Sequence, residues 1–182
     1  KKVGAPQNPR VAWLVNPRMR AALQRGFLLV ALVAAALSLG PSFAHVLEAP
    51  PRLTAWSPGL WREATVFNGQ FTLFATVGAP MDVGAILLTG FLAWLIRRER
   101  PAGRFALAAA VLFAAGLATW ATVVAPANAV LATWRPGPIP ANFAAVRDRW
   151  EGGHMAVAAL KLAGFILLAL AAVVPDRRLS RL

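Results

Sequence analysis

The chain has no cysteine, no tyrosine, two histidines and seven acidic residues among 182. Without cysteine it cannot be a disulfide scaffold, hold a Cys-based zinc site or carry out dithiol redox chemistry. Charge of either sign is scarce, at 14% of residues against the roughly 25% of soluble domains, while 58% are apolar. So much apolar surface excludes disorder, because it must be buried somewhere. Short alternating strands are missing too, and with them a closed barrel. Nucleic acid is not expected as a partner. The net charge of +12 falls between long apolar runs and not on one face of a soluble fold. What remains is a membrane protein whose first partner is the lipid bilayer.

Four apolar runs reach the length of about 20 residues that a helix needs to cross hydrocarbon. They extend from Gly26 to about His45, Phe67 to Ile96, Phe105 to Val124 and His154 to Val174. With their flanks they predict spans over about 26–48, 60–96, 104–125 and 150–175. A segment 1–25 precedes this 26–175 domain and a tail 176–182 follows it. The first run lies behind a polar segment and lacks a cleavage site, which speaks against a signal peptide. Thirteen Lys and Arg fall on the side of the termini and the 97–104 connection, and five on the other side. The positive-inside rule then puts both termini in the cytoplasm. The expected fold is an all-α integral membrane four-helix bundle, up-down-up-down, in the cytoplasmic (inner) membrane.

Local signals refine this. Val11, Leu14, Val15, Arg18 and Ala22, with Trp13 beside them, predict an amphipathic helix lying on the cytoplasmic interface. Gly40-Pro41 predicts a kink in the first span, which should end before Ala49-Pro50-Pro51. Ser57-Pro58 marks a restart, and Gly78-Ala-Pro80 should interrupt the second helix. Ala110, Ala114 and Ala118 offer a small-residue face for close contact. Pro126-Ala-Asn128 closes the third span, and 142–150 leads into the fourth. No internal repeat points to a transporter.

Ionisable groups inside hydrocarbon are costly and are functional candidates. Asp82 and Lys161 sit at mid-depth. They form either a proton-handling or substrate-orienting pair, or a structural ion pair, unless Lys161 snorkels outward. A second cluster lies on the outer side. The first helix ends in His45-Val-Leu-Glu48 and the fourth opens with Glu151-Gly-Gly-His154. In antiparallel helices these mirror each other, with imidazoles level and carboxylates one turn further out. Four readings are open: a metal site of His45, Glu48, Glu151 and His154; bis-histidine haem ligation; an acid/base pocket; or plain loop anchoring through Arg52, Arg147 and Arg149. The cofactor is left open. His154 and Lys161 share a helix face with Ala158 between them, so a polar path toward Asp82 is expected. Trp61, Trp120, Trp134 and Trp150 would rim its mouth, and a lipophilic aromatic or quinone-like molecule suits such a pocket.

The run His45-Val-Leu-Glu48-Ala-Pro50-Pro-Arg-Leu, Gly78 with Asp82 four later, Pro126-Ala-Asn128 and Arg149-Trp150-Glu151-x-x-His154 together resemble small four-helix membrane proteins grouped with anthrone oxygenases. The resemblance covers most of 26–175. It implies cofactor-independent oxidation of polycyclic aromatics, with His45, Glu48, Asn128, Trp150 and His154 as site residues and Asn128 and Trp150 on the ligand. The absence of tyrosine and the presence of Gly152-Gly153 before His154 depart from a simple carry-over. Two functions follow from the sequence: an oxygenase-like or redox-type protein for a lipophilic aromatic molecule, or a non-catalytic subunit of a larger membrane complex or homo-oligomer.

Overall fold

A computed structural model describes residues 17–68 and 70–174. The segment expected at Val11 to Val15 and the tail 176–182 lie outside the described residues. Helix α1 spans Pro17–Thr54. A short α2, Pro58–Arg62, is capped by Ser57, whose hydroxyl accepts from the Leu60 amide at 3.2 Å, and runs into a π-helical turn, Glu63–Phe67. Helix α3 spans Gln70–Leu95 and α4 Ala102–Thr119. A π-helical stretch, Trp120–Val124, joins α4 to α5, Ala125–Leu131. Helix α6 spans Phe143–Val173. There is no strand among the described residues.

Four stretches are long and apolar enough to cross a membrane: Arg18–Thr54, Thr76–Leu95, Ala102–Leu131 and Phe143–Val173. Their outward faces carry Leu29, Val33, Leu87, Leu107, Val111 and Ile166, all at least half exposed. An apolar belt of that kind on helices long enough to cross a bilayer suits contact with lipid. These features define a multi-pass helical membrane protein.

The inner faces follow a heptad spacing. On α1 the buried residues are Ala31, Ala35, Ser38, Ser42, His45, Ala49 and Arg52. Gly78 and Asp82 continue on α3 into buried Ala85, Thr89 and Leu92, with Ile96 just past the helix, all alternately three and four apart. On α6 the row is Trp150, His154, Val157, Lys161, Gly164, Leu168 and Ala171. A repeat of 3.5 residues keeps one seam facing the neighbours along the full length, as in left-handed helix bundles. One half of the seam is dry: Ala31, Ala35, Ala85, Leu92, Phe113 and Leu168 form a single apolar cluster. Polar residues occupy the other half.

Several local expectations give way. Helix α1 runs through Ala49-Pro50-Pro51 to Thr54, and α3 is unbroken across Gly78-Ala-Pro80. Proline removes one N–H and fixes φ near the helical value, so a long packed helix can carry it for the loss of one internal bond. Nor does α1 break at residue 25, since it continues from Pro17. The second span is instead divided, with α2 and its π turn set off from α3. The third continues past Pro126 to Leu131. Ala114 and Ala118 face outward, and the packed face of α4 is Ala106, Ala109, Phe113 and Gly116. In so alanine-rich a helix, a small-residue stripe does not reveal which side is packed. At the 97–103 hairpin Gly103 is required, because a Cβ there would lie 2.5 Å from the Ile96 carbonyl oxygen.

Candidate functional site

The site is built where polar residues occupy seam positions. Pro41 cannot donate to the Leu37 carbonyl four residues back, yet α1 is continuous there. The adjacent Ser38 carbonyl accepts from Ser42 Oγ at 3.5 Å and from Lys161 Nζ at 3.3 Å. Lys161 also donates to Ser42 Oγ at 2.9 Å and to Asp82 Oδ1 at 2.6 Å. All three ammonium protons thus have acceptors on α1 and α3, and Lys161 does not snorkel outward. Asp82 Oδ1 receives a second bond, from Ser38 Oγ at 2.7 Å. An ion pair in hydrocarbon persists only with such additional bonds, and here Ser38 and Ser42 of α1 supply all of them.

Further along the same seam the rings of His45 and His154 stack, with centroids 4.1 Å apart and planes 19° from parallel. The successive contacts Ser38–Lys161, Ser42–Lys161, His45–His154 and Arg52–Glu151 ascend α1 and descend α6, so these two helices run in opposite directions. Trp150 packs edge-on against both imidazoles and Phe74 lies 5.2 Å from His45. The depth of His154 depends on Gly153. A Cβ at that position would lie 2.7 Å from Val124 Cγ2 and 3.1 Å from Val123 Cγ1, so glycine lets α6 close on the π-helical stretch. Arg149 reinforces this contact by donating to the carbonyls of Thr122, at 3.2 Å, and Val123, at 3.1 Å. Asn128 then accepts from Trp150 Nε1 at 2.8 Å and fixes the indole plane.

The carboxylates are placed differently from the sequence expectation. Glu48 is more than half exposed and pairs with Arg52 along its own helix. Glu151 is buried, accepting from Trp61 Nε1 at 2.8 Å, with its other oxygen 3.9 Å from Arg52. Arg52, buried, also approaches His45 Nδ1 at 3.4 Å and lies 5.8 Å from the rings of Trp56 and Trp150. An arginine only donates, so this contact requires Nδ1 of His45 to be the acceptor.

The metal site of His45, Glu48, Glu151 and His154 therefore does not form. Among the described residues no group of three or more His, Cys, Asp or Glu side chains converges as a metal would need. The imidazoles meet face to face, so their lone pairs do not point at a common centre, and Arg52 and Trp61 have taken the carboxylates. The same stacking leaves no gap between the rings for a haem ligated on both sides.

One cavity of about 90 Å³ joins the two polar levels. Since a single water needs only ~10–15 Å³, it has room for several waters. Ser38, Ser42, Asp82 and Lys161 line one end, and His45, His154, Arg52, Asn128 and Trp150 the other. Val157, not Ala158, lines the stretch between them. Trp120 borders the cavity as well, but Trp61 and Trp134 do not rim it. They are buried with Phe143 and Trp150 in an aromatic cluster behind the site. Buried Arg62 closes that cluster, donating to the Gly137 and Pro138 carbonyls at 3.1 Å each and to the Arg135 carbonyl.

The sequence reading missed Ser38 and Ser42 and gave Arg52 only an anchoring role. Their signal was present in the heptad row that they share with His45. No family model, curated protein or solved structure matches the chain.

Proposed function

We propose that this chain is an up-down-up-down protein of the cytoplasmic (inner) membrane, with both termini cytoplasmic, that binds a lipophilic aromatic or quinone-like molecule in the cavity between α1, α3 and α6 and moves a proton on it. The resemblance to anthrone-oxygenase-like proteins makes oxygenase-like chemistry the reading to test. One observation carries the proposal: no described residue hydrogen-bonds to His154, and its imidazole opens on a cavity shared with the Lys161–Asp82 pair. An imidazole that faces a cavity and has no described protein partner is suited to general-base work. Asn128 and Trp150 would orient the ring, and His45, tied to Arg52, would support His154 by stacking. The non-catalytic subunit reading has only the apolar outer faces behind it, and lipid covers those equally well.

The test of function is binding of 1,5-dihydroxynaphthalene, which offers one hydroxyl to His154 and keeps a second for the other end of the cavity, to the purified chain in lipid nanodiscs, followed by calorimetry. The native protein should bind one equivalent, and His154→Ala should weaken binding about tenfold, the size of one lost hydrogen bond. An unchanged affinity would remove His154 from the site. Topology is checked separately, since the native chain contributes no background thiol. In intact cells a membrane-impermeant maleimide should label Pro136→Cys and spare Arg98→Cys until the membrane is broken. The reverse pattern would overturn the orientation.

A further inference from the structure

Asp82 uses one carboxylate oxygen for both of its bonds. Lys161 Nζ and Ser38 Oγ both donate to Oδ1, at 2.6 and 2.7 Å, and no described residue donates to Oδ2. The carboxyl group lines the cavity, with its side chain still 12% exposed there. Lys161 cannot turn toward a ligand without giving up one of its three acceptors. The inner end of the cavity therefore presents an ionised, acceptor-only oxygen, held in place by an ammonium and a hydroxyl that are already satisfied. A ligand carbonyl or ether oxygen placed there would meet lone pairs with lone pairs, whereas a ligand O–H would complete the carboxylate.

We infer that Asp82 is the specificity-determining residue of this cavity and selects hydroxyl-bearing aromatics, phenols and hydroquinones, over quinones and ethers of the same shape. The inference rests on the proposed function, because it concerns the same cavity. A site that offers a buried group to a substrate hydroxyl discriminates strongly against the analogue lacking it, since the protein group is then left unpaired. The apolar cluster with Ala85, Phe113 and Leu168 lies beyond Asp82, so the carboxylate can take a donor only from the cavity side, and an ether that displaces the cavity's water leaves Oδ2 unpaired.

The experiment compares 1-naphthol with 1-methoxynaphthalene on the full chain in nanodiscs, because the methyl ether removes only the proton donor. Native protein should favour the naphthol by about 10- to 100-fold, the range for a hydrogen bond to a charged group. Asp82→Asn, whose amide can also donate, should bring the two ligands within about threefold by losing naphthol affinity and not ether affinity. A native preference for the naphthol that persists in Asp82→Asn while His154→Ala abolishes it would assign the hydroxyl to His154 and overturn the selection by Asp82. Equal binding of both probes to native protein overturns the selection by Asp82 and leaves the cavity reading standing. Binding of neither overturns the cavity reading itself, and this inference falls with it.

Discussion

Lys161→Met should destabilise the protein by about 3–5 kcal/mol, the range for removing one partner of a buried ion pair. Lys161 is 5% exposed and Asp82 12% at the side chain, so bulk water can screen neither well. The variant would leave the Asp82 carboxylate with a single described hydroxyl donor, Ser38 Oγ, at the inner end of the cavity. The loss should be largely reversed in the double variant Lys161→Met/Asp82→Asn, because a neutral amide needs no counter-charge. Unfolding free energies from a denaturing-detergent titration of the reconstituted protein provide the check. A neutral single variant would mean that the cavity is wet enough to solvate Asp82 unaided.

Trp61→Ala should have an effect of similar size for a different reason. Trp61 is fully buried between Trp134, Phe143 and Trp150, and truncating a core tryptophan costs about 3–5 kcal/mol. The change also removes the only hydrogen-bond donor to buried Glu151 among the described residues, none of which hydrogen-bonds to its second oxygen. Trp61→Phe separates the two contributions. It keeps most of the packing and loses the indole N–H, so a smaller cost of about 1–3 kcal/mol is expected for the unsatisfied carboxylate. The same unfolding titration should rank native above Trp61→Phe above Trp61→Ala, and equal losses in the two variants would show that the bond and not the packing dominates.

The candidate site was legible where the seam is periodic. His45 lies seven residues after Ser38 and three after Ser42, and His154 seven before Lys161. A reader following the heptad would place all five on facing seams. The carboxylates were harder. Residue spacing put Glu48 and Glu151 beside the histidines, but Glu48 lies off the buried row of α1 and pairs with Arg52 from the exposed side, and an indole from a distant segment captures Glu151. Spacing reports which face a residue shares; it does not report which rival partner reaches it first. The proline positions failed similarly. Pro50, Pro51 and Pro80 read as stops, yet the helices pass through them, because packing along the remaining turns outweighs single lost bonds.

Sequence alone determined the solvent. Lengths of apolar chain and the scarcity of charge leave a bilayer as the only medium in which these helices can expose Leu, Val and Ile on their outer faces, since burial in lipid is a summed, non-directional effect that composition already fixes. Tertiary structure decided the chemistry. Whether two imidazoles converge on a metal or stack, and whether a carboxylate keeps one oxygen free, depends on orientations within a few tenths of an ångström. Hydrogen bonds are directional and short-ranged, and their partners here come from helices up to 123 residues apart in the chain.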